Sequence, residues 1–159
     1  MAMRRFGFPV FALLCLATGA MAQTPRIERI EIKETAIYRM SEEAGELKAD
    51  LVQIADLVPA RVGAAFGFKY LVVGPPEGTQ VPLRLVIHYP EPGIRDPAGR
   101  DPIRRRSEQL VFVRAGELAL SGYRFGQAWE VVQGRWLFEL WDGNRKLAEQ
   151  AFTVVAEAR

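Results

Sequence analysis

The strongest constraint on the fold of this chain is a period of two. From about residue 30 onward the apolar residues alternate with polar ones, and turn-forming residues interrupt them every ten or so positions. Successive side chains on a strand point to opposite faces, so this pattern describes half-buried β-strands and excludes a helical bundle. Strands are expected at Ile30–Ile32 with an extension through Ala36–Met40, Leu51–Val58, Phe66–Val73, Val81–Tyr89, Glu108–Val113 and Glu117–Phe125, and in the hairpin Arg135–Trp141 with Lys146–Val155. In the strand Val81–Tyr89, Leu83, Leu85, Ile87 and Tyr89 share one face while Arg84, Val86 and His88 share the other. The expected architecture is all-β: an immunoglobulin-like, two-sheet antiparallel sandwich of about seven strands, with a small barrel as the alternative.

Two stretches resist the pattern. Residues 41–50 are polar, and Met40, Ala44, Leu47, Leu51 and Ile54 also fit helical spacing; a loop running into the strand at Leu51 is the default, because Gly45 weakens a helix. Residues 90–105 hold four prolines and two glycines and read as a long loop, functional or mobile. In the last hairpin an Asp142-Gly143 turn would set Glu139 against Lys146 and Phe138 against Leu147. Phe152 and Val154 have the opposite parity to Leu147, so the last strand needs a bulge, placed near Glu149-Gln150.

The N-terminus carries an export signal. Arg4 and Arg5 precede the apolar run Phe6–Ala17, and Ala20-Met21-Ala22 fits a small-x-small cleavage site, so residues 1–22 are expected to be a signal peptide and residues 23–159 one domain. The run is too short for a membrane span, and Leu14 before Cys15 does not fit a lipobox. The expected location is therefore periplasmic or secreted, without a membrane span after cleavage. Cleavage removes Arg4, Arg5 and Cys15, leaving equal numbers of basic and acidic residues and no cysteine. A neutral chain is not a nucleic-acid binder, and a chain without cysteine has neither disulfide nor thiol chemistry.

The order of motifs Pro59-Ala60-Arg61-Val62-Gly63, Phe66-Gly67-Phe68-Lys69-Tyr70, Tyr89-Pro90-Glu91-Pro92-Gly93, Gly122-Tyr123-Arg124-Phe125, Trp129 through Trp141, and Arg145-Lys146-Leu147-Ala148-Glu149 with Phe152 resembles a bacterial family, domain of unknown function 3859. The resemblance spans residues 27–155, and residues 41–50 depart most from the family pattern. It implies a stand-alone exported or periplasmic domain and supplies no catalytic residue set.

Chemistry is thinly represented. His88 is the one histidine and reads as a surface or edge-strand residue; Ser41, Ser107 and Ser121 lie in no Gly-x-Ser-x-Gly elbow. Asp96 and Asp101 lack calcium-loop spacing and neighbour arginines, and the glutamates Glu42, Glu43, Glu130, Glu139 and Glu149 suggest no pair. No catalytic, metal or cofactor site is therefore expected. Arg100, Arg104, Arg105 and Arg106 form the one concentrated positive feature, suited to an anionic partner. Trp129, Trp136, Trp141 and Tyr123 are the candidate aromatic surface, with Trp141 at the hairpin mouth the best placed for exposure. The reading is a non-enzymatic binding or accessory module that meets a protein partner through the 90–106 loop or a sheet edge. A small-ligand or glycan binder using exposed aromatics is the alternative, and an enzyme the third reading.

Overall fold

The computed structural model describes residues 26–99 and 102–156; the expected signal peptide, residues 1–22, and Arg100 lie outside them. Nine strands form: β1 Arg29–Glu43, β2 Glu46–Ile54, β3 Leu57–Pro59, β4 Ala65–Val73, β5 Gln80–His88, β6 Arg106–Arg114, β7 Ala119–Arg124, β8 Gly134–Asp142 and β9 Arg145–Val155. They make two sheets, one in the order β2-β1-β4-β7 and the other β3-β9-β8-β5-β6. All neighbours are antiparallel except β3 and β9, which run parallel with Leu57 opposite Thr153. No helix among the described residues is long and apolar enough to cross a membrane.

The alternation in the sequence becomes the core. Phe66, Phe68, Tyr70 and Val72 point inward from β4, and they meet Leu83, Leu85 and Ile87 of β5, Trp136, Phe138 and Leu140 of β8, and Phe152 and Val154 of β9. Phe66 is at the centre, its ring 5.1–5.9 Å from those of Phe125, Trp136, Phe138 and Phe152. Each buried aromatic removes about 150–250 Å² from water, and tilted or edge-on ring pairs add about 0.5–1.5 kcal/mol each. This is how a sandwich without a cross-sheet disulfide holds its two layers together. The Trp136 indole is also satisfied, donating to the Val132 carbonyl at 2.9 Å.

Three sequence expectations change. Residues 41–50 are neither helix nor loop: β1 runs on to Glu43, turns at Ala44-Gly45 and returns as β2, pairing Glu43 with Glu46, while the strand expected over Leu51–Val58 is divided between the end of β2 at Ile54 and β3 from Leu57. Ala44 and Gly45 both have positive φ, 53° and 82°, the geometry of a tight hairpin turn. In the last hairpin the turn residues are Gly143-Asn144, because Asp142 pairs with Arg145. The extra residue is Leu147, between the pairs Leu140–Ala148 and Trp141–Lys146, and it shifts the register so that Glu139 stands opposite Glu149. The bulge exists for the reason the parity demanded, two residues earlier than expected. In the described part of the 90–105 loop, the Tyr89 N–H donates to the Arg105 carbonyl at 3.0 Å, Ile94 and Arg104 exchange backbone bonds, and Ile94 is buried.

Candidate functional site

Strand β6 is the exposed edge of the five-stranded sheet. It pairs with β5 through nine consecutive positions, Gln80–Arg114 to His88–Arg106, without a bulge. No described strand pairs with its other side. Arg106, Glu108, Leu110, Phe112 and Arg114 project from the outer face, opposite His88, Val86, Arg84, Pro82 and Gln80. Leu110 is 63% and Phe112 59% exposed. Natural edges are usually blunted by shortness, proline or a bulge. The other edge of this sheet, β3, is three residues long and ends at Pro59; in the other sheet, β2 carries an irregularity opposite Ile37 and Tyr38. By contrast β6 is long, regular and apolar at its middle, with charge only toward its ends.

On the inner side of β6 the two sheets part along a seam facing β7. One cleft there, about 370 Å³, is lined by Tyr70, Val111, Val113, Leu118 and Ser121. A second, about 390 Å³, is lined by Ile87, Tyr89, Arg104, Ser107, Tyr123 and Glu130. The polar groups of this seam are matched to one another: the Tyr89 and Ser107 hydroxyls are 2.7 Å apart, and the Tyr70 hydroxyl is 3.2 Å from that of Ser121. The Tyr123 hydroxyl donates to Glu130 at 3.0 Å, and the Gln127 N–H donates to the same carboxylate at 2.8 Å. Burial, reinforced by the Glu130 carboxylate, pushes the Tyr123 hydroxyl up, so it remains a donor.

Beyond β5, on the outer face, Glu139 is the hub of a polar network. His88 Nε2 lies 3.1 Å from Glu139 Oε2, the Trp141 indole donates to the same oxygen at 3.0 Å, and Lys146 Nζ donates to Oε1 at 3.4 Å. Burial pushes this carboxyl up, but the bonds from His88, Trp141 and Lys146 outweigh it and hold the group below the free glutamate value. The Arg84 guanidinium sits 5.4 Å from the Trp141 ring. Arg84, Trp141 and the 142–144 turn form a shallow depression that reaches Leu110 of β6.

The family model for the domain of unknown function DUF3859 matches residues 30–154. The chain belongs to this family. The DUF3859 fold seen here is also similar to that of the immunoglobulin-like protein PA1606 of Pseudomonas aeruginosa, with 29% sequence identity, a TM-score of 0.59, and coverage of 80% of this chain and 97% of that one. No curated protein matches the chain.

In this DUF3859 protein the described arginines among those singled out in the sequence lie in three different settings. Arg104 lines the second seam cleft, Arg105 pairs with Glu91 at 3.2 Å, and Arg106, within β6, pairs with Glu108 at 2.6 Å. Arg100 lies outside the described residues. Of the tryptophans, Trp136 is fully buried, Trp129 packs partly buried against the core, and Trp141 is half-buried in the Glu139 network. His88 is on an interior strand of its sheet rather than an edge, with its ring half-exposed. Sequence reasoning passed over Leu110 and Phe112. The run Leu110-Val111-Phe112-Val113 is apolar at both parities, which by itself describes a strand covered on both faces, so the sequence carried no signal of the exposure seen at Leu110 and Phe112.

Proposed function

We propose that this DUF3859 protein is an exported, periplasmic, non-enzymatic module that binds a protein partner by strand addition to β6. The observation that carries the reading is a nine-residue regular edge whose outer side has no partner strand among the described residues and whose centre exposes Leu110 and Phe112. An added strand gains main-chain hydrogen bonds from such an edge, and its alternate side chains gain specificity from the two faces beside it. Here those faces are the apolar Leu110–Phe112 strip outside and the seam clefts inside. Arg104 and Arg105, at the entrance to β6, flank the edge rather than forming a separate surface. The glycan reading has less support, because Trp136 lies in the core and Trp141 is engaged by Glu139 and Arg84. An enzyme has less still, since the Tyr70, Tyr89 and Tyr123 hydroxyls of the clefts are engaged by Ser121, Ser107 and Glu130.

Export follows from the N-terminal signal and is tested by the mature mass, expected to begin at Gln23; an uncleaved chain would overturn it. Edge binding is tested by placing a photoreactive residue at position 110 or 112 in cells, with exposed Val62 as control. Adducts from 110 and 112 but not from 62 are expected, and they should persist when Arg104, Arg105 and Arg106 are replaced by Ala. Adducts equally strong from position 62, or none from the edge, would overturn the reading.

A further inference from the structure

We propose that the strand added to β6 is the β6 of a second copy of this chain, antiparallel about a two-fold axis at Val111, joining two five-stranded sheets into one of ten. The inference rests on the edge-binding reading and names its partner. A two-fold axis makes a strand its own complement, so each possible centre on β6 prescribes which residues meet. About Val111, Leu110 meets Phe112, Gln109 meets Val113, and Glu108 meets Arg114, each pair occurring twice. About Leu110 the axis would place Arg106 against Arg114 and Glu108 against Phe112. About Gln109 it would place Arg106 against Phe112 and Glu108 against Leu110. About Phe112 it would place Leu110 against Arg114. Among these centres, Val111 alone matches apolar with apolar and acid with base. Directly opposed like charges destabilise a strand pair, and opposed unlike charges or large apolar residues stabilise it.

The outer face agrees with that register. Leu110 and Phe112 of both copies would form one continuous strip of four apolar side chains, covering groups now 63% and 59% exposed. The charges are free to rearrange: Glu108 and Arg106 side chains are 38% and 50% exposed, and Glu108 also reaches Arg84 at 3.6 Å. Arg114 presently donates only to the Gly78 carbonyl at 3.3 Å among its bonds to described residues. An antiparallel pair tolerates a two-fold at either a hydrogen-bonded or a non-hydrogen-bonded position, so the centre at Val111 is geometrically available in both cases.

The test is a charge swap read by sedimentation velocity on the purified mature chain over a wide concentration range. The wild type should dimerise. Glu108→Arg opposes two positive charges across the axis, and Arg114→Glu opposes two negative ones, so each variant alone should dimerise about tenfold or more weakly. An equimolar mixture of the two single variants should restore a dimer, because the new arginine at position 108 of one chain then meets the new glutamate at position 114 of the other. The double variant Glu108→Arg, Arg114→Glu should restore the homodimer. Circular dichroism of each variant separates loss of pairing from loss of fold. A wild type monomeric at all concentrations, or a dimer indifferent to these swaps, overturns the inference. If the chain is monomeric yet positions 110 and 112 still cross-link to a different protein, the second copy is excluded and edge binding stands; if no edge adduct forms, both fall.

Discussion

Gly67 and Gly122 stand opposite each other on β4 and β7, and replacing either by alanine should be among the most damaging small changes in this protein. A Cβ at Gly67 would lie 2.4 Å from the Ser121 carbonyl oxygen and 2.9 Å from Gly122 Cα. A Cβ at Gly122 would lie 2.3 Å from the Phe66 carbonyl oxygen and 2.9 Å from Gly67 Cα. A close carbon–oxygen contact is about 3.3–3.6 Å, so each substitution asks for an overlap of roughly 1 Å. Neither glycine has a left-handed φ, so the requirement is space alone. All the opposing atoms are backbone, and relief means spreading β7 from β4, at the expense of ladder bonds and of the 3.2 Å contact between the Tyr70 and Ser121 hydroxyls. Overpacking alone costs about 1–3 kcal/mol, and each weakened hydrogen bond adds about 1 kcal/mol. The expected loss is about 3–5 kcal/mol, against a typical total of about 5–15 kcal/mol. For a domain of this size that lowers Tm by roughly 10–20 °C. Urea and thermal unfolding of Gly67→Ala should be compared with Gly78→Ala. Gly78 has φ +79° but open space around it, so its replacement carries backbone strain alone, about 1–2 kcal/mol. If Gly67→Ala is no more destabilising than Gly78→Ala, the close approach of β4 and β7 is not the reason for these glycines.

Glu139→Gln should cost about 1–2 kcal/mol at neutral pH, since it removes a charge that receives bonds from His88, Trp141 and Lys146. The carboxyl is held below its free value of 4.5, so its contribution is complete above that value and is lost as the pH falls through the folded-state pKa. The stability difference between wild type and variant should accordingly shrink in acid, and a difference constant from neutral pH into strong acid would contradict the network. Ala44→Gly should stabilise the protein by about 0.5–1 kcal/mol, because Ala44 has φ 53° in the β1–β2 turn; an unchanged or lowered Tm would refute that strain.

The parts of the fold that were legible in the sequence are those where alternation coincides with burial. Leu83, Leu85 and Ile87, and Trp136, Phe138 and Leu140, could be assigned to the inner face because their neighbours in sequence are mostly polar or face the other way. Of β2 only the end, from Leu51 to Ile54, was legible; Glu46–Asp50 escaped because β2 is an edge with no buried stripe to recognise, even its Leu51, Val52 and Ile54 being 47–71% exposed. Its turn escaped because Ala44-Gly45 lacks the Asn-Gly or Asp-Gly signature of that geometry. The bulge in β9 was required by parity, but an extra residue satisfies parity anywhere between two in-phase segments, and the pairing of Trp141 with Lys146 decides for Leu147.

The candidate site divides in the same way. Side-chain alternation is a property of neighbouring residues, so the sequence by itself determined most of the strands, their inner faces and the aromatic inventory of the core. Which strand is left without a neighbour is a different kind of fact. It depends on β5 choosing β8, some fifty residues away, on one side and β6 on the other, and on β7 joining the opposite sheet. Those choices are made by the packing of distant segments against one another. Only the tertiary structure could therefore turn Leu110 and Phe112 from ordinary strand residues into an open edge, and distribute the arginines before them along its flank.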